Sequence, residues 1–135
     1  MKTKESEGVS FMMFHMNVYW KEELVSRIDF DYTQNYIHLE NFTDKILFRP
    51  FGIRETIDFK ALEEFFRDRV WPPERPNISN LLRQLGLQHY DPFAIVLKTH
   101  AVMAGDYMWV KFDESDPFSF KEVKELVHIG GEAFE

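Results

Sequence analysis

Five histidines, at positions 15, 38, 89, 100 and 128, are the side chains best suited to proton transfer or metal binding in this chain. Their spacing forms no HxH, HxxxH or HExxH pattern, so a metal centre would need ligands converging from distant segments. Two pairs set a histidine near a carboxylate, His100 with Asp106 and His38 with Glu40, as a general base and its orienting group would be. His100 also falls at the end of a helical segment, where a donor or cation meets the terminal carbonyls, and that role explains it without catalysis. No Ser, Thr or Lys stands in a nucleophile setting, and "GIRETI" and "HIGGEAF" are neither a dinucleotide fingerprint nor a P-loop. Kinase signatures of the HRD and DFG type are absent as well. The expectation is a chain that is not an enzyme, with no catalytic residue, cofactor or metal.

Binding chemistry has better material. The stretch "RVWPPERPNISNLLRQLGL", residues 69–87, sets a Trp and three prolines between two helical segments. Proline costs about 3 kcal/mol inside a helix, so this is a rigid corner. Trp71 beside two prolines would lose little entropy on docking, and Arg69 and Arg75 are placed to pair with carboxylates or phosphates. Exposed Trp, Tyr and Arg carry most interface energy. The expected contact surface is therefore Trp71, Arg75, His89, Tyr90 and Tyr107.

The bulk composition limits the partners. At 135 residues the chain fits one domain, with a core that removes about two thirds of the unfolded surface from water. The net charge of −7 lacks the broad basic footprint of a phosphate-backbone binder, so direct nucleic-acid binding is not expected. The acids crowd toward the end, with Asp113, Glu114 and Asp116 in one short loop. Solvated faces explain most of them. A second reading is an acidic phage or mobile-element inhibitor that blocks a nucleic-acid-binding host protein by charge mimicry. There is no cysteine, hence no disulfide or thiolate site. The most apolar run, "VSFMMFHMNVYW", is too short for a spanning helix of about 20 residues and lacks a signal peptide's basic lead. The expectation is a cytoplasmic protein without membrane contact.

The elements that must position these residues are readable from their periods. Residues 1–8 read as a frayed end. Residues 9–53 read as mainly β: a strand from Val9 to Trp20, the alternating "LVSRIDFDY" with one mostly wet face, then "YIHLENF" after a short turn. "ILFRPFGI" reads as extended, since Pro50 biases Arg49 away from helix. Residues 58–104 read as helical, with Asp58 capping the first helix and Asn77 or Ser79 opening the second. Gly86 closes that second helix, and Asp91-Pro92 opens a third that runs to Gly105. Residues 106–112 form a strand, and 119–129 a C-terminal helix that opens on a Ser119–Glu122 capping box and stops at Gly130-Gly131. The predicted fold is α+β: an antiparallel sheet, from an N-terminal meander plus one later strand, packed on one side by three to four helices.

The order from Leu62 to Phe112 resembles the N-terminal subdomain of HipA-type toxin serine/threonine kinases. The matching parts are Phe65-Phe66, the Val70-Trp71-Pro72 corner, the short helix Asn77 to Leu85, "DPFAIV" at Asp91 to Val96, and the Gly105 to Phe112 turn and strand. "FRPFGI" is similar to that subdomain's leading strands. Where the family has a glycine or small polar residue after the proline, this chain has Pro73-Glu74-Arg75-Pro76. The resemblance implies a non-catalytic piece that packs on a kinase core, which in split systems acts as an antitoxin. The expected function is thus a partner-binding protein that docks on and modulates a HipA-like kinase.

Overall fold

The computed structural model describes residues 12–112 and 115–126. Strands β1 (Phe14–Trp20), β2 (Glu23–Asp31) and β3 (Tyr36–Asn41) form an antiparallel meander. Helices α1 (Phe59–Asp68), α2 (Ile78–Gln84) and α3 (Pro92–Thr99) follow, then β4 (Met108–Lys111) and α4 (Phe120–Lys124). β4 returns to pair with β1, which gives the sheet order β3-β2-β1-β4. This is the expected α+β architecture, down to the single later strand.

Alternation along the strands decides which face meets the helices. Met16, Val18, Ile28, Phe30, Leu39 and Val110 point to one side and are buried. On that side Phe93 of α3 sits among five rings: Phe14 at 5.0 Å, Phe66 of α1 at 5.1 Å, Phe30 at 5.8 Å, Phe112 at 5.9 Å and Tyr32 at 6.1 Å. Most of these contacts are edge-to-face, the arrangement aromatic quadrupoles favour. The opposite side carries His15, Asp29, Arg27, His38 and Glu40, with His15 Nδ1 2.5 Å from Asp29 Oδ1.

The helices start where their caps place them. The Asp58 carboxylate accepts from Ala61 N–H at 2.9 Å, and Asp91 accepts from Phe93 N–H at 3.1 Å. Ser119 and Glu122 form the full capping box. Asn77 opens α2 through a left-handed backbone, φ 69°, without a side-chain cap.

Three local expectations change. The third helix stops at Thr99, not Gly105, because His100 and Ala101 both turn left-handed at φ 59°. "ILFRPFGI" is not extended throughout: Ile46–Phe48 is a 3-10 turn and Gly52 is left-handed at φ 59°, while Arg49, ahead of Pro50, is extended. The wet face expected on β2 is broken by Val25 and Asp31, both fully buried. Asp31 is satisfied there by Thr33 Oγ1 at 2.6 Å and the Thr33, Gln34 and Met12 amides. The Thr33 hydroxyl above all holds its carboxyl below the ordinary range, against the opposing effect of burial. The C-terminal helix is described only to residue 126, and the frayed end at 1–8 and the glycine stop at 130–131 lie outside the described residues. Among the described residues no helix is long and apolar enough to cross a membrane.

Removing the central ring should be costly. Phe93→Ala is expected to destabilise the protein by about 2–3 kcal/mol, up to the lower end for fully buried aromatic residues because Phe93 is only partly buried, measured by urea denaturation.

Candidate partner-binding surface

β1 ends in Trp20, and the chain reverses at Lys21 with a left-handed φ of 55°. Tyr107, just ahead of β4, and Trp109 of β4 hold Lys21 through both its backbone groups. Lys21 N–H donates to Tyr107 O at 2.9 Å, and the Trp109 indole donates to Lys21 O at 2.6 Å. Fixed in this way, Trp20 becomes the centre of a ridge of rings. Phe48, brought in by the 3-10 turn, stacks on it at 4.5 Å and 12°. Tyr107 meets it edge-on at 5.7 Å, and Phe120 of α4 meets Tyr107 at 5.9 Å.

Lysines are seated on this ridge. Lys45 Nζ lies 5.3 Å from the Phe48 ring, Lys21 4.6 Å from Tyr107, and Lys124 5.9 Å from Phe120. Each is within the range of a cation–π contact. Tyr107 is 45% exposed, and Leu47, the neighbour of Phe48, is 89% exposed. The result is an apolar, cationic strip on an otherwise acidic protein.

A buried arginine keeps Tyr107 in place. Arg69, at the C-terminal cap of α1, donates through Nη1 and Nη2 to the two oxygens of Asp106 at 2.6 and 2.9 Å. It also donates to Ala101 O at 2.9 Å and Met108 O at 2.8 Å. The residues on both sides of Tyr107 are therefore held by one guanidinium. Lys124 adds bonds to Met103 O and Asp106 O at 2.7 and 2.8 Å, which ties α4 to the same loop. Burial would raise the Asp106 carboxyl, but the Arg69 hydrogen bonds and charge outweigh it and hold it below the ordinary carboxylate range. Burial lowers the Lys124 ammonium. A cleft of about 310 Å³ beside the arginine is lined by Pro50, Phe51, Arg54, Glu64 and Asp68 among others.

The structure divides the expected contact surface. Trp71 is 1% exposed and belongs to the core, so its ring cannot anchor a partner. Tyr90 is half-buried beside it, donating its hydroxyl to Trp71 O at 2.6 Å. Burial and then the nearby Glu74 raise that phenol's pKa. Arg75 is partly buried, with its N–H on Pro72 O at 3.1 Å, and His89 is exposed. Tyr107 alone of the five belongs to the aromatic ridge.

The acid–base pairs are not assembled as the spacing suggested. Asp106 is taken by Arg69, while His100 Nδ1 lies 2.9 Å from Val110 O and 3.9 Å from Asp116. His38 and Glu40 stand across from Asp29 and Arg27 on the outer sheet face. Among the described residues no three His, Cys, Asp or Glu side chains converge on a common point. Sequence reasoning missed Trp20, Leu47, Phe48 and Phe120; the available signal for the first three was an aromatic-lysine pair, "WK", at a turn and a second, "KILF", after the meander. Comparison with protein-family models, curated proteins and solved structures gives no match.

The clamp has two measurable consequences. Arg69→Met leaves Asp106 without its partner and should cost about 3 kcal/mol, the lower end for breaking a buried pair because Asp106 is partly exposed. Both Asp106 and Asp31 have depressed folded-state values, so they stabilise the fold above their unfolded pKa of about 3.9. That contribution is lost as pH falls through the lower folded values. Thermal melts between neutral and strongly acid pH should therefore show a falling limb that starts below about pH 5 and is shallower in Asp106→Asn.

Proposed function

We propose that this chain is a partner-binding protein that acts without chemistry of its own, docking through the ridge of Phe48, Trp20, Tyr107 and Phe120 with Leu47 at its tip. The observation that carries the reading is the near-complete exposure of Leu47 next to rings that are held rigidly and capped by lysines. A preordered aromatic surface loses little entropy on binding, and such anchors dominate interface energies. The engagement of Asp106 by Arg69 and of His100 by Val110 supports the non-catalytic half of the proposal.

The partner class follows from the resemblance of residues 62–112 to the kinase-associated subdomain: a HipA-like serine/threonine kinase core, which this chain would modulate as an antitoxin or accessory subunit. Arg75, His89 and Tyr90, none of them on the ridge, would be the second set of residues such a core meets. The acidic balance of the whole chain, −7, disfavours nucleic acid as the ligand of the ridge.

Calorimetric titration of the chain with a purified HipA-like kinase core tests the assignment. Leu47→Asp and Tyr107→Ser should each weaken binding about 30-fold, the loss of a contact of about 2 kcal/mol, with unchanged melting temperature for Leu47→Asp and a lowered one for Tyr107→Ser, which also loses its ring contacts with Trp20 and Phe120. Arg75→Ala and His89→Ala report on the second surface in the same assay. Absence of binding by the wild-type chain would remove the kinase as partner. Wild-type affinity in both ridge variants would remove the ridge as the site.

A further inference from the structure

The free edge of the sheet carries a sequence complementary to itself. β3 is an edge strand. Phe42 N–H donates to Val25 O at 2.8 Å, which sets the parity of the β2–β3 ladder. Residues 36, 38, 40 and 42 turn their backbone groups toward β2, so Ile37, Leu39 and Asn41 turn theirs outward. Among the described residues no backbone group pairs with those outward N–H and C=O groups. The stretch "YIHLENF" also lacks the lysine, proline or bulge that commonly protects an edge. β4 at the other edge differs: Val110 N–H donates to His100 O at 2.8 Å, and the His100 ring bonds to Val110 O.

The geometry points to a homodimer in which two copies of β3 pair antiparallel about a two-fold axis at Leu39, joining two sheets into one. In that register the outward groups of Ile37, Leu39 and Asn41 bond to the partner's Asn41, Leu39 and Ile37. On the outer face Tyr36 stands opposite the partner's Phe42, and His38 opposite the partner's Glu40. Tyr36 and Phe42 are 44% and 46% exposed, so each gains an aromatic neighbour. Inside one copy His38 already faces Asp29, and Glu40 faces Arg27. The seam therefore continues an alternation of acid and base: Asp29, His38, the partner's Glu40, the partner's Arg27. Moving the axis to His38 would set imidazole against imidazole, and moving it to Glu40 would set two carboxylates together, so the Leu39 register is favoured over both neighbours. The second copy is thus identified by charge and aromatic complementarity, independently of the ridge.

Sedimentation equilibrium of the full chain from about 1 μM to about 1 mM should show a reversible dimer. Glu40→Lys sets a lysine against the partner's His38 and should raise the dissociation constant at least about 10-fold. Because Glu40 also faces Arg27 in its own sheet, far-UV circular dichroism of the variant is read alongside. The register is read by cross-linking, which the absence of native cysteine makes clean. His38→Cys and Glu40→Cys chains, mixed and mildly oxidised, should join to each other, since residues in a non-hydrogen-bonded pair lie about 4.5 Å apart. Either variant alone should cross-link far less, its cysteines being diagonal at about 7–8 Å. A monomer across the whole concentration range would overturn the proposal. So would equal cross-linking in the mixed and single-variant samples.

Discussion

The guanidinium of Arg69 is the interaction on which the arrangement of the second half depends. The path from α3 to β4 passes through His100 and Ala101, two successive residues in the left-handed region. Non-glycine residues there cost about 1–2 kcal/mol each. Arg69 offsets that cost by donating to Ala101 O at the strained turn, to Asp106 further on, and to Met108 O where β4 begins. One side chain from the end of α1 thus decides where the helix layer stops and the last strand starts. Tyr107 lies between two of those contacts, so the position of the ridge and the stability of the loop are one property.

Aromatic residues serve two different ends in this chain. Around Phe93 they fill the space between a four-stranded sheet and short helices, where wide, flat rings cover more area than aliphatic side chains. Along the ridge the same residue types lie at the sheet's end, and three lysines sit over their faces. Lys124 combines both uses. Its ammonium is bonded to two loop carbonyls while it lies near the Tyr107 and Phe120 rings, so α4 is attached to the body by the charge that also shapes the surface.

Much of the fold was legible because it is local. Alternation in "LVSRIDFDY" and "YIHLENF", the aspartate caps at 58 and 91, and the Ser119–Glu122 box each act within a few residues, and each appears in the structure. What misled the reading acts over longer distances. Gly105 looked like the end of α3, yet the helix ends where Arg69 and the His100–Val110 bridge need the chain, over 30 residues away in sequence for the arginine. Asp31 read as solvated by its type and parity, but a turn folds three donors back onto it. Trp71 had the composition of a docking residue and lies in the core; exposure depends on what packs above a residue, and spacing does not report it. Of the five expected contact residues, only Tyr107 sits on the ridge, because the rings beside it come from β1, the 3-10 turn and α4.

The two edges of the sheet are handled by opposite means, and the difference has a geometric consequence. At β4 a histidine held left-handed satisfies Val110 on both its backbone groups, so the sheet ends within the molecule. At β3 the outward backbone is left to whatever can match Tyr-Ile-His-Leu-Glu-Asn-Phe. A two-fold axis normal to the sheet keeps the outer faces of two copies on one side and reverses their ends. The ridge, built where β1 ends and β4 begins, would then point in opposite directions in the two copies. A single small partner could not span both. The proposed self-pairing at β3 and the proposed docking at the ridge would therefore use separate surfaces of one sheet.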